Sequence, residues 1–317
     1  MNHIKNSLSD YNSNSITKIG FAVDMEIVPS KIQLVNISGN TLEGDIFYVK
    51  NKINYIESAK IENTSTTIKD FFQNNSVETK VMNSYYGSDV NTPINLKNEK
   101  TIFSDESTIE TAYQYAYEKG NQKLIDANMV GIPLDTEVKK DGKTISKAET
   151  KYDNPVNLLP SSVLSYNMQS NTPSTEVTYD IYDGKRNLIQ YTTKAGVSTS
   201  IIWGYNQTQP IAKIEGAKLS DITQTLINSI VNASDDTNAN YSESTLLNQL
   251  DAFRIALPNF QISTYTYKPL IGVTTITPPS GIREYYFYDT ANRLESVKTN
   301  ENGVLTTLKE YQYHYKP

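Results

Sequence analysis

The chain has 317 residues, and its 35 Asp and Glu outnumber its 29 Lys and Arg, which gives a formal net charge of −6. This acidic balance argues against nucleic acid and against anionic membranes as partners, because both are bound through basic surface patches. The chain has no cysteine, which excludes disulfides and thiol chemistry, and no apolar run approaches the length of a membrane span.

The first half of the chain is predicted to be a series of β-hairpins behind a polar lead. Residues 1–16 are rich in Asn and Ser, show no periodicity and lack the apolar core of a signal peptide, so they are predicted to be a disordered lead. Residues 17–152 form short apolar-rich runs separated by turn residues, typical of β-hairpins. The clearest hairpin joins residues 136–140 to 143–152 through Asp141-Gly142, a type I′ turn signal.

Two places in this half leave a choice or mark a boundary. Residues 109–117 alternate around three tyrosines, which favours a strand, with a short helix as the alternative. Residues 153–175 are punctuated by prolines, and this linker-like stretch is the predicted boundary with the second domain, 176–317.

One segment of the second half breaks the β pattern. Ser220 is placed to cap a helix over residues 221–231, and Ser242 is placed to cap a second helix that stops at Pro258. Apolar residues recur at helical spacing in both: Ile222, Leu226 and Ile230, then Leu246, Leu250, Phe253 and Leu257. A helical hairpin over 218–258 is therefore predicted to be inserted into the β region and to cover a sheet face or edge.

Three stretches of the second half share one frame. Each has an aromatic strand before an anchor at position 183, 268 or 289, apolar residues five and eight positions on, a glycine 13 or 14 positions on, and then another aromatic strand. The candidate motif residues are Tyr182, Asp183, Asn187, Leu188, Gly196, Trp203 and Tyr205, then Tyr265, Tyr267 and Gly281, then Tyr286, Tyr288, Asp289, Arg293, Leu294, Gly303, Tyr311 and Tyr313. A short fixed period indicates structural units that stack on their neighbours.

Each position of this frame has a physical role in a hairpin. Aromatic residues alternate between the two faces of a strand, Asp bonds to backbone N–H groups to start a turn, and Gly supplies the positive φ of a tight turn. The predicted fold is mainly β: an antiparallel meander of β-hairpin repeats that forms an open, twisted sheet with an inserted helical hairpin.

The frame also resembles a known repeat. The pattern Tyr-Asp-x-x-x-Asn/Arg-Leu…Gly…Tyr-x-Tyr resembles the YD repeat of the RHS family, and residues 201–215 and 264–273 are similar to segments of RHS-repeat proteins from Bacteroidetes. The strong resemblance covers residues 177–317; it is looser over 125–176 and nearly absent from the first 120. The usual repeat has Gly before the Asn or Arg, whereas Lys185-Arg186-Asn187 and Ala291-Asn292-Arg293 lack it, so these turns are expected to differ.

The resemblance implies a role as well as a fold. Family members build curved or spiral β-sheet shells in large surface or secreted proteins, some of which encase a toxin, and three copies are too few to close a shell. The chain is therefore expected to be a non-enzymatic scaffold segment, the C-terminal part of a larger surface or secreted protein. Its expected partners are further RHS repeats or a partner protein, met through the sheet edges.

The residues themselves offer few signs of chemistry. The only histidines are His3 and His314, and no Gly-x-Ser-x-Gly motif presents a nucleophile. The spacing Asp236-x-Asn238-x-Asn240 imitates a calcium loop but lacks its Gly and its final Glu, so a solvated linker is the preferred interpretation. No catalytic residue, cofactor or metal is predicted.

Two other functions stay open. The tyrosine-rich strands are able to form a carbohydrate-binding surface, although such a stripe is more often sheet packing, and Trp203 is a core residue by default. A hydrolase would need two carboxylates facing each other about 5–9 Å apart, which sequence spacing does not reveal.

Overall fold

The computed structural model describes residues 16–35, 41–59, 64–72, 75–87, 94–236, 242–301 and 303–313. The chain divides into two compact units, Met1–Glu106 and Ser107–Pro317. In the first unit, one hairpin forms a two-stranded sheet and three further strands pair antiparallel in chain order. These strands are β1 (Ile16–Val35), β2 (Thr41–Ala59), β3 (Ser65–Phe72), β4 (Asn75–Tyr85) and β5 (Leu96–Ile102).

The second unit is an antiparallel meander, which confirms the predicted fold class. From β6 to β18, strands that are neighbours in the sequence pair with each other. The strands are β6 (Thr108–Gln114), β7 (Asp135–Lys140), β8 (Lys143–Lys151), β9 (Ser162–Tyr166), β10 (Pro173–Tyr182), β11 (Leu188–Thr193), β12 (Ser198–Gly204), β13 (Gln209–Glu215), β14 (Gln261–Lys268), β15 (Gly272–Thr277), β16 (Glu284–Tyr288), β17 (Leu294–Glu301) and β18 (Val304–Glu310).

The hairpin signals of this unit are confirmed at several points. Asp141 and Gly142 both have positive φ, 49° and 77°, as the type I′ turn between β7 and β8 requires. The choice at 109–117 falls to the strand over residues 109–114, where β6 pairs with β7. Residues 115–117 lie after the end of this strand, so the predicted strand is too long by three residues. Residues 153–175, marked as a linker-like boundary by their prolines, contain β9 and the first residues of β10, which pair with each other; the division into domains at this place stays a prediction.

Helices enter the second unit at two places. The short helix α1 (Gln122–Asp126) follows β6, and a helical hairpin of α2 (Gln224–Asp235) and α3 (Glu243–Ala256) separates β13 from β14. The main apolar core lies between this hairpin and β12–β14, with Ile211, Ile214, Ile230 and Leu246 fully buried. The insertion thus covers a sheet face, as its apolar residues require. No described helix has the length and apolar character needed to span a membrane.

The predicted start of the first inserted helix is wrong. Residues 219–221 form a 3-10 turn in which the Asp221 carboxylate accepts the Lys218 N–H at 2.9 Å. Ile222 then adopts an extended conformation, so it enters the core ahead of α2 rather than from its first turn. The second cap is confirmed, since the Ser242 hydroxyl accepts the Ser244 N–H at the start of α3.

The three frame copies pair their strands in the same way. In each hairpin the aromatic residue before the anchor lies opposite the apolar residue five positions after the anchor: Tyr182–Leu188, Tyr267–Val273 and Tyr288–Leu294. In each, the next residue of the second strand is skipped as a β-bulge: Ile189, Thr274 and Glu295. The spacing of the sequence frame therefore corresponds to one strand register, with a bulge at the same position in each hairpin.

Candidate functional site: the aromatic ladder between hairpins

Two of the frame's turns are closed by an aspartate in the same manner. One Asp183 carboxylate oxygen accepts the backbone N–H groups of Lys185 and Asn187, both at 2.8 Å, and the other accepts the Asn187 side-chain amide at 3.0 Å. The backbone closes the same loop, because the Asp183 N–H donates to the Asn187 carbonyl at 2.9 Å. The predicted role of Asp183 and Asn187 as turn residues corresponds to this arrangement.

The second Asp-anchored turn repeats this geometry. One Asp289 oxygen accepts the N–H groups of Ala291 and Arg293 at 2.8 and 2.9 Å, and the other accepts the Arg293 guanidinium at 2.8 Å. These hydrogen bonds, led by the Arg293 backbone N–H, lower the pKa of Asp289. The Arg293 guanidinium also lies 4.5 Å from the centre of the Tyr313 ring, which ties the turn to a tyrosine that follows β18.

Residues with a Cβ hold the left-handed position of these turns. Arg186 and Asn292 occupy the position where the repeat usually has Gly, and both have positive φ, 70° and 60°. Leu270, in the turn of the middle copy, has φ of 66°. A residue with a Cβ thus adopts a conformation that is strained for most residues but not for glycine; a difference from the usual repeat turns stays a prediction.

The aromatic residues of the frame form a ladder of side-chain hydrogen bonds between successive hairpins. Five of them donate the side-chain O–H or N–H to a backbone carbonyl in, or just before, the preceding strand of the meander, at 2.8–3.1 Å. The rungs of this aromatic ladder are Tyr182 to Pro160, Trp203 to Leu188, Tyr267 to Pro210, Tyr288 to Val273 and Tyr313 to Leu294.

The ladder and the bulges belong together. Three of the accepting carbonyls, those of Leu188, Val273 and Leu294, belong to the residue just before the skipped one. A bulge interrupts backbone pairing, and a carbonyl next to it needs another donor. Each rung supplies that donor from the following hairpin, and each such bond contributes about 0.5–1.5 kcal/mol net.

Burial keeps three of the tyrosine rungs, Tyr182, Tyr267 and Tyr288, protonated. It raises the pKa of Tyr182 and of Tyr267 to about 12, and it also raises the pKa of Tyr288. These three rungs therefore retain their hydroxyl protons over the whole physiological range of pH.

The other motif residues support the ladder or the turns. The Tyr205 hydroxyl accepts the Tyr267 N–H at 2.9 Å, and the two rings meet edge to face with centroids 5.7 Å apart. Tyr265 and Tyr286 lie opposite the apolar residues eight positions after their anchors, and Tyr311 donates its N–H to Glu295. Gly196, Gly281 and Gly303 all have positive φ, between 78° and 88°, as their turns require.

A polar cluster in β7–β9 is absent from the sequence-based candidates. Asp135 and Glu149 lie opposite each other on β7 and β8, and both are nearly fully buried. Lys119 bridges them at 3.5 and 2.8 Å. The Tyr166 hydroxyl donates to Glu149 at 2.6 Å, and Lys151 lies 3.0 Å from the same carboxylate. The Lys-x-Glu-x-Lys alternation of β8 is the only signal in the sequence that hints at this cluster.

The cluster holds Glu149 in its charged form. Burial opposes ionisation, but the hydrogen bonds from Lys119, Tyr166 and Lys151 outweigh it and lower the pKa of Glu149 to about 2. The hydrogen bond to Glu149 in turn raises the pKa of Tyr166 to about 12. A glycosidase-type acid needs the opposite, a carboxyl that keeps its proton near neutral pH.

The structure also bears on the residues considered for carbohydrate, metal or catalytic roles. Among the described tyrosines, three are exposed: Tyr117, Tyr311 and Tyr313. His3, His314, Asn238 and Asn240 lie outside the described residues. Within the described part of the chain, no group of three or more His, Asp or Glu side chains is arranged to hold a metal ion.

Strand pairing defines the second unit as a meander of stacked antiparallel hairpins that carries a helical hairpin. No protein-family model matches the chain, and no curated protein matches it. Solved structures that resemble it include the crystal structure of TcdB2-TccC3-Cdc42, at 12% identity and a TM-score of 0.34 over 75% of this chain, and the crystal structure of TcdB2-TccC3-TEV, at 11% identity and a TM-score of 0.33 over 90% of it.

The structure of a Photorhabdus luminescens Tc holotoxin pore is similar at 12% identity and a TM-score of 0.31 over 75% of this chain. The chain spans only 12% of the length of the first and third of these chains and 18% of the second. At such TM-scores and identities the likeness decides nothing about fold or function, so the description of the fold rests on strand pairing alone.

Proposed function

We propose that this chain is a non-enzymatic scaffold segment of the RHS type, which extends a β-meander hairpin by hairpin and presents a sheet edge to further repeats or to a partner protein. The observation that carries the proposal is the aromatic ladder. Its rungs make each hairpin depend on the one before it, which is how a repeat protein gains stability from nearest neighbours. The resemblance of the Tyr-Asp frame to the YD repeat supports the same role.

The last rung supports an edge that accepts another strand. Tyr313 follows β18 and donates to Leu294 as Tyr288 donates to Val273, so it holds the place of the aromatic residue that starts a turn. β18 pairs with β17 on one side, and Leu305 and Leu308 are about half exposed on it. An unpaired edge with exposed apolar side chains is suited to strand addition.

The polar cluster supports a role without catalysis. Asp135 and Glu149 lie opposite each other, but Glu149 is bound by Lys119, Lys151 and Tyr166, and its lowered pKa keeps it charged. Such a carboxyl is no proton donor at neutral pH. A role in fixing β7 to β9 agrees better with these contacts.

The edge is tested by self-association of the purified chain. We expect sedimentation to show concentration-dependent association, and we expect Leu308→Lys to abolish it, because a lysine on an edge strand opposes strand addition. The matched control is Leu270→Lys, a fully exposed leucine in the turn between β14 and β15, which should leave association unchanged. A chain that stays monomeric at all concentrations, or equal effects of the two variants, would contradict an interacting edge.

The surface location is tested in the producing cells. We expect an antibody against the C-terminal hairpins to detect a band well above 35.6 kDa, and we expect external protease to remove it. A band that resists external protease would contradict a surface role and would direct the search to partners inside the cell.

A further inference from the structure

A cavity of about 420 Å³ lies beside the first frame copy, between helix α2 and the strands β11 and β12. This volume falls within the range of small-ligand pockets, about 300–1,000 Å³. Its floor is apolar and includes Ile189, Ile201 and Ile227, and Trp203 also lines it. The Trp203 ring is fixed in place, because its N–H donates to the Leu188 carbonyl at 3.0 Å.

The polar part of the lining consists mainly of side-chain amides with unused hydrogen-bonding groups. The amides of Asn206 and Gln207 are exposed and form no hydrogen bond within the described part of the chain. Gln224 donates to Asn228 at 2.8 Å, which leaves the NH₂ of Asn228 and the oxygen of Gln224 without a partner among the described residues. Each amide both donates and accepts, so together they suit a ligand whose groups do the same.

The charged residues of the lining do not favour a charged ligand. Asp183 is occupied by its own turn, and the Lys185 ammonium donates to the Asn206 carbonyl. One Asp235 oxygen accepts the Asn206 N–H at 2.7 Å. An anion would therefore meet two carboxylates and a lysine that is already bonded.

The turn that carries two of these amides is strained and firmly held. Tyr205, Asn206 and Gln207 are three consecutive residues with positive φ, 50°, 56° and 61°, whereas the two Asp-anchored turns have one such residue each. The end of α2 holds this turn, because Ser234 and Asp235 accept the N–H groups of Tyr205 and Asn206. Strained residues that the surrounding structure fixes in this way concentrate at ligand sites.

We propose that this cavity binds a neutral saccharide, with one ring face against Trp203 and its hydroxyls on the amides of Asn206, Gln207 and Asn228. A saccharide combines an apolar ring face with hydroxyls that both donate and accept, and the lining offers the counterpart of each. The proposal does not rest on the scaffold role: the ladder uses the Trp203 N–H, whereas the site uses the Trp203 ring and amides that form no rung.

The chain's single tryptophan makes the site directly observable. The full chain is titrated with trisaccharides of glucose, xylose, mannose and N-acetylglucosamine, with Trp203 fluorescence and calorimetry as readouts. We expect at least one of them to bind saturably with one site per chain. Loss of one amide contact in Asn228→Ala should weaken binding about three- to tenfold.

The matched control is Asn232→Ala, an exposed asparagine one turn further along α2 that does not line the cavity; it should bind like the parent chain. Three results would overturn the proposal. The first is no saturable signal with any of the four sugars up to about 10 mM, tenfold above a weak Kd of about 1 mM. The second is an equal loss of affinity in Asn228→Ala and Asn232→Ala. The third is tighter binding of trigalacturonate, a charged trisaccharide, than of every neutral one.

Discussion

Two parts of the second unit carry the same kind of ladder rung under different covers. Strands β12–β14 lie under α2 and α3, and the side chains of Ile211 and Ile214 between them are fully buried. Strands β16–β18 carry the same ladder rung and an Asp-anchored turn, yet every residue of β18 is exposed. The ladder rung therefore does not depend on what covers the sheet.

The comparison of β12–β14 with β16–β18 indicates that the contacts that define a hairpin's geometry differ from those that supply most of its stability. Polar contacts, meaning the aspartate turn and the aromatic rung, set where each strand turns and how it pairs. The helices add buried apolar area, which contributes about 25 cal/mol per Å². Where no helix covers the strands, as in β7–β9, buried ion pairs around Glu149 take part of that role.

The largest effect is expected in the core below the helices. Phe253 is 1% exposed in α3, and Phe253→Ala should lower the free energy of unfolding by about 3–5 kcal/mol, because it removes a buried ring and leaves a cavity. Ile255→Ala, in the same helix but 78% exposed, should cost less than about 0.5 kcal/mol. Denaturant titration measures both, and similar losses would show that the helices do not supply the main core.

The stabilisation by the polar cluster around Glu149 should depend on pH, whereas the stabilisation by the apolar core should not. The pKa of Glu149 is lowered from its usual 4.5 to about 2 in the folded chain. Its stabilising contribution is therefore complete above pH 4.5 and is lost as the pH falls towards 2. Glu149→Gln should cost about 1.5–3 kcal/mol at neutral pH, the size of hydrogen bonds to a charged group.

The stability of Glu149→Gln and of the parent chain should converge as the pH falls through this window. Unfolding titrations at neutral pH and at several acidic values measure the difference, with Phe253→Ala as the comparison whose loss should stay constant. A Glu149→Gln loss that does not shrink in acid would mean that shape, and not charge, gives Glu149 its effect.

Removing one hydroxyl of the aromatic ladder should lower the free energy of unfolding by a smaller amount, and only for a tyrosine on the ladder face of the strand. Tyr288→Phe removes a donor from the Val273 carbonyl and should cost about 1–2 kcal/mol. Tyr285 lies on the same strand and its hydroxyl has no partner among the described residues, so Tyr285→Phe should be neutral within about 0.5 kcal/mol. Equal losses of stability for the two variants in denaturant titrations would contradict a stabilising role of the ladder between hairpins.

Much of this arrangement was open to prediction because its signals are local. The aromatic alternation, the Asp at strand ends and the spacing of five and eight residues predicted the hairpins, and the structure confirms the meander. The spacing of five encodes the bulge, because it places Leu188 opposite Tyr182 and skips Ile189. The ladder itself joins residues from different hairpins, and sequence spacing within one copy does not reveal such a contact.

The polar cluster shows why the rest escaped prediction. Counting back from the turn pair Lys140 and Lys143 places Asp135 opposite Ala148, but the bulge next to Val138 shifts the register by one residue. That shift brings Glu149 opposite Asp135 and both carboxylates to one face of the sheet. A one-residue slip exchanges the two faces of a strand, so a bulge that is missed hides the whole cluster. The predicted start of α2 was wrong because residues 219–221 form a 3-10 turn, and the helix begins only at Gln224.

The smallest effect tests the turns that lack glycine. Arg186 and Asn292 hold equivalent left-handed positions in Asp-anchored turns, but asparagine adopts this conformation more readily than arginine does. Glycine removes the strain and adds freedom to the unfolded chain, which offsets about 0.4–1 kcal/mol of the gain. Arg186→Gly should therefore raise the free energy of unfolding by about 0.5–1 kcal/mol, and Asn292→Gly should change it by less than about 0.5 kcal/mol. Denaturant midpoints resolve the two variants, and a loss of stability in Arg186→Gly would mean that the arginine side chain holds its turn in place and that the left-handed residue is not the strained element.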